Sequence, residues 1–241
     1  MDAADLESLE RATVEAVAPP EVLEIDGWLV PLDNGTIGRA KSAVPLRHDL
    51  GPEVIGEIEA AYRHRGLKPA FRIADIEAFA PVCAELSRRG YSAQQPTIFK
   101  TGRITDLAAF SEGSANILAK PDDAWSAVFL GEGFEPADAA HRIAALTRSP
   151  DAVYGAAGEG GRVGGVGVMS FGRGWAGIHG MRTAPEQRGR GLASRVLGAL
   201  GRVAQSRGID RVFLQVEEAN PARSIYRRAG FGAVWRYHYW R

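Results

Sequence analysis

The sequence predicts an α/β (α+β) protein made of two successive units, residues 1–112 and 113–241, and three observations lead there. A chain of 241 residues with 45% hydrophobic and 24% charged side chains has the size and composition of a globular protein able to bury two cores. Apolar residues alternate between helical and strand-like spacing along its length. The segments of the second half also repeat, with additions, the order of the first, and the link falls at Glu112-Gly113-Ser114.

Residues 6–17 carry Leu6, Leu9 and Val17 and stop at Pro19-Pro20, which predicts a short leading helix. Residues 27–31 and 35–44 read as two strands around the turn Asp33-Asn34-Gly35. Val54, Ile55, Ile58 and Tyr62 mark one face of a helix over 51–65. Residues 70–73 form a brief strand, 76–89 a helix closed by Gly90, and 91–101 a returning strand. Cys83 is the only cysteine, so no intramolecular disulfide can form, and it falls beside Leu86 as a small core residue. In the second half a strand at 115–119 precedes helices at 122–130 and 136–147. Three strands follow at 152–155, 162–171 and 175–183, then a helix at 193–207, a strand at 211–216, a short helix at 221–229 and a last strand at 232–239.

The most informative stretch joins the strand ending at Thr183 to the helix carrying Leu192, Val196, Leu200 and Val203. Gly189 and Gly191 punctuate this turn, and Arg188 and Arg190 add positive charge. Unpaired N–H groups at a helix start favour an anion by roughly 0.3–2 kcal/mol, so the turn is a phosphate cradle. A Walker-type loop requires a Gly-Lys pair that is absent here. A dinucleotide fingerprint requires a third glycine where Ser194 stands, and Asp210 precedes the next strand instead of ending it, which disfavours a nicotinamide-dependent oxidoreductase.

What remains is the pattern [RQ]-x-x-G-x-[GA], met by Arg188, Gly191 and Ala193, which resembles the acetyl-CoA loop of the GNAT acetyltransferase superfamily. After the next strand, the segment from Val216 through Asn220, Ala222, Ile225 and Tyr226 to Gly230-Phe231 is similar to that family's N…A…LY…GF segment, in the family's order. One departure is that Asn220 lies six residues before the tyrosine, where the family usually has seven. The resemblance implies tandem GNAT-like domains, each a mixed, mostly antiparallel sheet flanked by helices, with a degenerate first copy that has no cofactor loop. It also implies acetyl-CoA as cosubstrate without a metal. Met181 and Thr183 are implied to give main-chain contacts to pantetheine, Arg188, Gly189, Arg190, Gly191, Ala193 and Ser194 to hold the pyrophosphate, and Asn220 to touch the cofactor.

In the same resemblance Tyr226 is the general acid on the departing sulfur. A phenol of pKa about 10 suits a thiolate whose acid has a pKa of about 8.5. The base is less defined: the strand at 162–170, where many family members place a glutamate, has no carboxylate. His179, two residues before Met181, and Glu218, beside Glu217 at the end of the next strand, are the candidates. A weak base points to amines of low pKa. An α-amine of pKa about 8 is deprotonated more cheaply than a lysine amine at about 10.4, by roughly 3.5 kcal/mol.

The zero net charge hides a division, because residues 1–112 carry net −6 and residues 113–241 net +6, with arginine making up 16 of the latter's 17 basic residues. The acidic half is expected to attract a cationic amine and wall its pocket, with Arg39, Lys41 and Arg72 as candidates for a substrate carboxylate. No basic run with interleaved aromatics points to nucleic acid, and the acidic start with no long apolar run predicts a cytoplasmic location without membrane attachment. The expected partner is a small-molecule amine, and the protein a monomer or homodimer. The reading is an N-acetyltransferase acting by direct attack in a ternary complex; the alternative is a non-catalytic acyl-CoA sensor.

Overall fold

The structure is a computed structural model and describes residues 3–131 and 135–241. The leading helix is α1 (Ala3–Glu15). After Pro19-Pro20 the chain forms a hairpin of β1 (Glu21–Ile25) and β2 (Trp28–Leu32). Its two-residue turn is Asp26-Gly27, at φ of 42° and 82°, the left-handed pair that matches strand twist. The strand expected at 27–31 is β2, but the one expected at 35–44 is corrected: β2 pairs backward with residues 21–25 and forward only with residues 44–45. Residues 33–44 instead hold an Asp33–Gly35 side-chain-to-backbone turn, a 3-10 turn at Gly38–Ala40 and only the two-residue β3 (Val44–Pro45). Asp33 caps its own turn, so the chain leaves the sheet there.

Helix α2 (Ile55–His64), strand β4 (Phe71–Ala74), helix α3 (Ala80–Arg88) and strand β5 (Ala93–Arg103) follow as expected. Helix α4 (Ile104–Ala109), a short helix outside the expected elements, comes next. The second half runs β6 (Asn116–Leu118), α5 (Asp123–Leu130), α6 (Pro136–Thr147), β7 (Ala152–Glu159), β8 (Arg162–Gly172) and β9 (Trp175–Thr183). It ends with α7 (Leu192–Ser206), β10 (Arg211–Glu217), α8 (Arg223–Arg228) and β11 (Gly232–Trp240).

Eight strands form one sheet in the order β4-β11-β5-β10-β9-β8-β7-β6, and every neighbouring pair is antiparallel except β9 with β10. This is the expected mixed, mostly antiparallel sheet. The sheet crosses residue 112: β5 lies between β10 and β11, and β4 pairs with β11 at the edge. Helix α1 closes the junction, with Leu9 and Ala12 buried among Phe99, Phe213, Trp175, Tyr237 and Tyr239. A second link is α4 against α7, where Cβ atoms at Gly201 and Gly198 would stand 2.7 Å from the Ala108 nitrogen and the Ser111 oxygen; only glycine permits that approach. Among the described residues no helix is long and apolar enough to cross a membrane.

Candidate active site

The site begins where the parallel pair ends. β9 and β10 pair from Trp175–Arg211 to Ile178–Leu214, and no further pairing follows. Beyond it β9 carries a bulge: Val166 of β8 pairs with Arg182 and Val168 with His179, so Gly180 and Met181 together face one residue of β8. Gly180 makes this possible with φ of 55°, and a Cβ there would stand 2.7 Å from Leu146. The bulge turns β9 away from β10 and opens a cleft between them.

On one side of this opening is a cleft of about 650 Å³ lined by Met181, Thr183, Arg188, Ala193, Asn220 and Tyr226, among others. Helix α7 starts at its wall. Gly191 is the N-cap, at φ of 74°, and no side chain caps the helix. Among the described residues, Arg195 is the first after Arg188 whose amide finds a main-chain acceptor, the Gly191 carbonyl. The intervening amides are the orphan donors that an anion at a helix start would satisfy. Gly189 has φ of 80°, and beyond their chain neighbours Cβ atoms at both glycines would meet no atom of the described residues within 4 Å. Arg190 points elsewhere, to Glu159 at 3.3 Å, and Ser194 sits in the first turn of α7. Asn220 accepts the Ala222 amide at 2.9 Å in a turn just ahead of α8, whose own N-cap, Ala222, carries no side-chain capping bond, and it still lines the cleft.

On the other side is a second hollow of about 340 Å³, which shares Met181, Arg182, Glu217, Asn220 and Tyr226 with the cleft. Tyr226 therefore stands where the two meet. It is 8% exposed, burial pushes its pKa up to about 12, and no described residue hydrogen-bonds its hydroxyl. The first half contributes Thr36, Ile37, Gly38, Arg39, Gln95 and Thr97 to the hollow, and no acid among the described residues. Of the three cations considered for a substrate carboxylate, only Arg39 lines it. Lys41 donates to the Gly35 carbonyl at 2.7 Å, and Arg72, 1% exposed, is ion-paired with Glu10 at 2.7 Å.

His179 is buried in this wall. Its Nδ1 lies 3.0 Å from Arg39 Nη1 and its Nε2 3.0 Å from Ser170 Oγ. A guanidinium only donates, so Nδ1 carries the lone pair, and Nε2–H donates to Ser170. Gly177 makes room for the ring, since a Cβ there would stand 2.5 Å from Nε2. Burial first and the Arg39 charge second hold the imidazole pKa well below its usual value. The group is a neutral acceptor fixed by Arg39, an arrangement that opposes proton uptake. Glu218 lines neither the cleft nor the hollow: its carboxylate is 3.5 Å from Arg236, and it borders a separate depression with Lys100 and Arg223. Its neighbour Glu217 lines both and accepts from Gln95 Nε2 at 2.8 Å.

Comparison with known proteins gives the family and the fold. The family described as "Probable histone acetyltransferase Rv0428c C-terminal" matches residues 3–240, and the chain belongs to that family. A protein of Mycobacterium tuberculosis, "Probable histone acetyltransferase Rv0428c", is 28% identical over 224 residues, which is 89% of this chain and 67% of that protein. The "Uncharacterized N-acetyltransferase YobR" of Bacillus subtilis is 35% identical over 75 residues, 31% of this chain and 30% of the relative. Among solved structures, a GCN5-related N-acetyltransferase from Kribbella flavida superposes with a TM-score of 0.72 at 15% identity, covering 98% of this chain and 94% of that one. A tandem GNAT protein from the clavulanic acid biosynthesis pathway superposes with a TM-score of 0.62 at 16% identity, covering 98% and 92%. The fold is the GNAT fold, and the chain is an acetyltransferase of that type.

Proposed function

We propose that the chain moves an acetyl group from acetyl-CoA to a primary amine of a small, amino-acid-like molecule, by direct attack with both substrates bound. The observation that carries this reading is Tyr226, whose hydroxyl has no hydrogen-bond partner among the described residues and stands at the junction of the two hollows. The 650 Å³ cleft takes acetyl-CoA: the open amides from Gly189 to Ser194 receive the pyrophosphate with help from Arg188, and the unpaired edge of β9 at Met181 and Thr183 receives pantetheine. Left-handed glycines facing open space fit that use, because a side chain there would fill the cradle.

The amine enters from the 340 Å³ hollow. Its nitrogen lone pair attacks the thioester carbonyl carbon, and the tetrahedral intermediate collapses by breaking the carbon–sulfur bond. Tyr226 gives its proton to the leaving thiolate and recovers one from the nitrogen, which sheds it on becoming an amide; the phenol's raised pKa keeps it protonated before that step. The ammonium proton leaves by way of Glu217, the one carboxylate among the described residues that lines both hollows. His179 serves as a positioning group, since its lone pair is held by Arg39. In this division residues 113–241 hold acetyl-CoA and residues 1–112, a degenerate GNAT-like copy, wall the acceptor side.

The test is release of free CoA thiol from acetyl-CoA across a panel of amines, with acetylated product identified by mass. Amine-dependent release with one product per thiol is expected. Tight acetyl-CoA binding with no release for any amine would overturn transfer in favour of sensing.

A further inference from the structure

The acceptor hollow has a polarity that names its substrate class more narrowly than a primary amine. Four arginines line it, Arg39, Arg142, Arg182 and Arg241, against one carboxylate, Glu217. They are not evenly placed: Glu217 belongs also to the acetyl-CoA cleft, whereas Arg39, Arg142 and Arg241 line only the acceptor hollow. Arg142 is neutralised by Asp138 at 2.7 Å, and Arg241 lies over the Tyr239 ring at 4.7 Å.

Arg39 differs from both. The 3-10 turn Gly38–Ala40 brings it from the first half into the hollow, and its one hydrogen-bond partner among the described residues is the His179 lone pair. No carboxylate among the described residues forms an ion pair with it, and the largest electrostatic influences on it come from Tyr239, Tyr237, Arg72 and Arg142. Desolvation lowers its pKa below the ordinary arginine value, as expected of a half-buried guanidinium without a counter-ion among the described residues. A guanidinium has five N–H donors in a planar fork, and one imidazole nitrogen satisfies one of them. The Ser170–His179 pair meanwhile fixes that fork in place. Such an arrangement is made for an anion supplied from outside the protein.

Resting on the reading that this hollow receives the acceptor, we propose that the acceptor amine also carries an anionic group, a carboxylate or phosphate, which pairs with Arg39 while the amine lies at the Glu217–Tyr226 end. Amino acids and aminoalkyl phosphates share this chemistry. A lysine-rich peptide does not, and the arginine lining repels it.

The experiment measures kcat/KM of the full chain with acetyl-CoA on matched pairs that differ only in the anion. The pairs are phenylalanine against phenethylamine and phosphoethanolamine against ethanolamine, with a lysine-rich peptide as a separate arm. The anionic member of at least one pair is expected to exceed its partner by about tenfold or more, as a charge-assisted bidentate contact implies. Which pair responds separates carboxylate from phosphate. Arg39→Gln should erase that preference through KM while acetyl-CoA affinity stays within about twofold, since Arg39 lies outside the cofactor cleft. Turnover of neutral amines or of the peptide at equal or greater efficiency would overturn the anionic subsite and leave acetyl transfer standing. If no amine is turned over, thermal shift with the same pairs reads the subsite by itself. Stabilisation of wild type but not of Arg39→Gln by the anionic members supports the proposal, and equal stabilisation by both members, or by neither, overturns it.

Discussion

The two hollows that meet at Tyr226 are built on different principles. The side proposed for acetyl-CoA is made of main chain: a helix start without a side-chain cap, two left-handed glycines and a strand edge released by a bulge, all within residues 180–194. The acceptor side is made of side chains from distant segments, with Arg39 on one wall, His179 and Ser170 behind it, and Gln95 and Thr97 from a strand inserted in the middle of the second half's sheet. A main-chain site keeps its chemistry under most side-chain changes and is destroyed by altering backbone freedom. A site of converging side chains can change its ligand by one substitution. A family with this fold can therefore keep one donor and vary its acceptor.

The largest expected effect breaks the second principle at the level of the sheet. A fragment of residues 113–241 lacks β5, which pairs with both β10 and β11, and it lacks α1 and α4, which cover Phe213 and α7. It should not give a cooperative thermal transition or a soluble fold. A folded fragment that binds acetyl-CoA would mean that the second half closes its own sheet.

The next tests the main-chain side. A valine at 191 must adopt a left-handed φ, at a cost of roughly 1–2 kcal/mol, and beyond its chain neighbours its Cβ meets no atom of the described residues within 4 Å, so it projects into the open cradle. Gly191→Val should weaken acetyl-CoA binding by calorimetry at least about tenfold, the loss expected from a charge-assisted hydrogen bond. Affinity within about twofold of wild type would remove the cradle from the account.

A smaller effect sharpens the acceptor side. In the unfolded chain His179 takes up a proton near pH 6.5, whereas the folded imidazole, held well below that by burial and Arg39, does not. Its contribution to stability is complete above about pH 6.5 and declines as pH falls through and below that value. The melting temperature of wild type should drop from pH 7 to pH 5 more than that of His179→Gln. Equal slopes would show that His179 is protonated in the folded protein.

Most of the second half was legible from the sequence because its signals are local. Every strand and helix from residue 116 to 240 follows the expected order, and the Arg188–Ser194 turn is recognisable from contiguous residues. The acceptor side was hidden for physical reasons. The run 35–44 has strand-like composition, but the Asp26-Gly27 turn pairs β2 with the residues before it, which frees the segment carrying Arg39 to form a turn. The choice between Glu217 and Glu218 depends on which face of a pleated strand reaches the cleft, and adjacent residues take opposite faces. The charge division proved a poor guide as well, since the acidic first half brings no acid into the hollow and supplies Arg39.

The central claim is that the acyl group passes between the two hollows at Tyr226, and Tyr226→Phe tests it most directly. The account predicts a kcat lowered about tenfold to a thousandfold, with acetyl-CoA affinity and melting temperature near those of wild type, because only the departing sulfur needs the hydroxyl. Unchanged turnover together with a lowered melting temperature would contradict it and leave Tyr226 as a packing residue between α8 and the sheet.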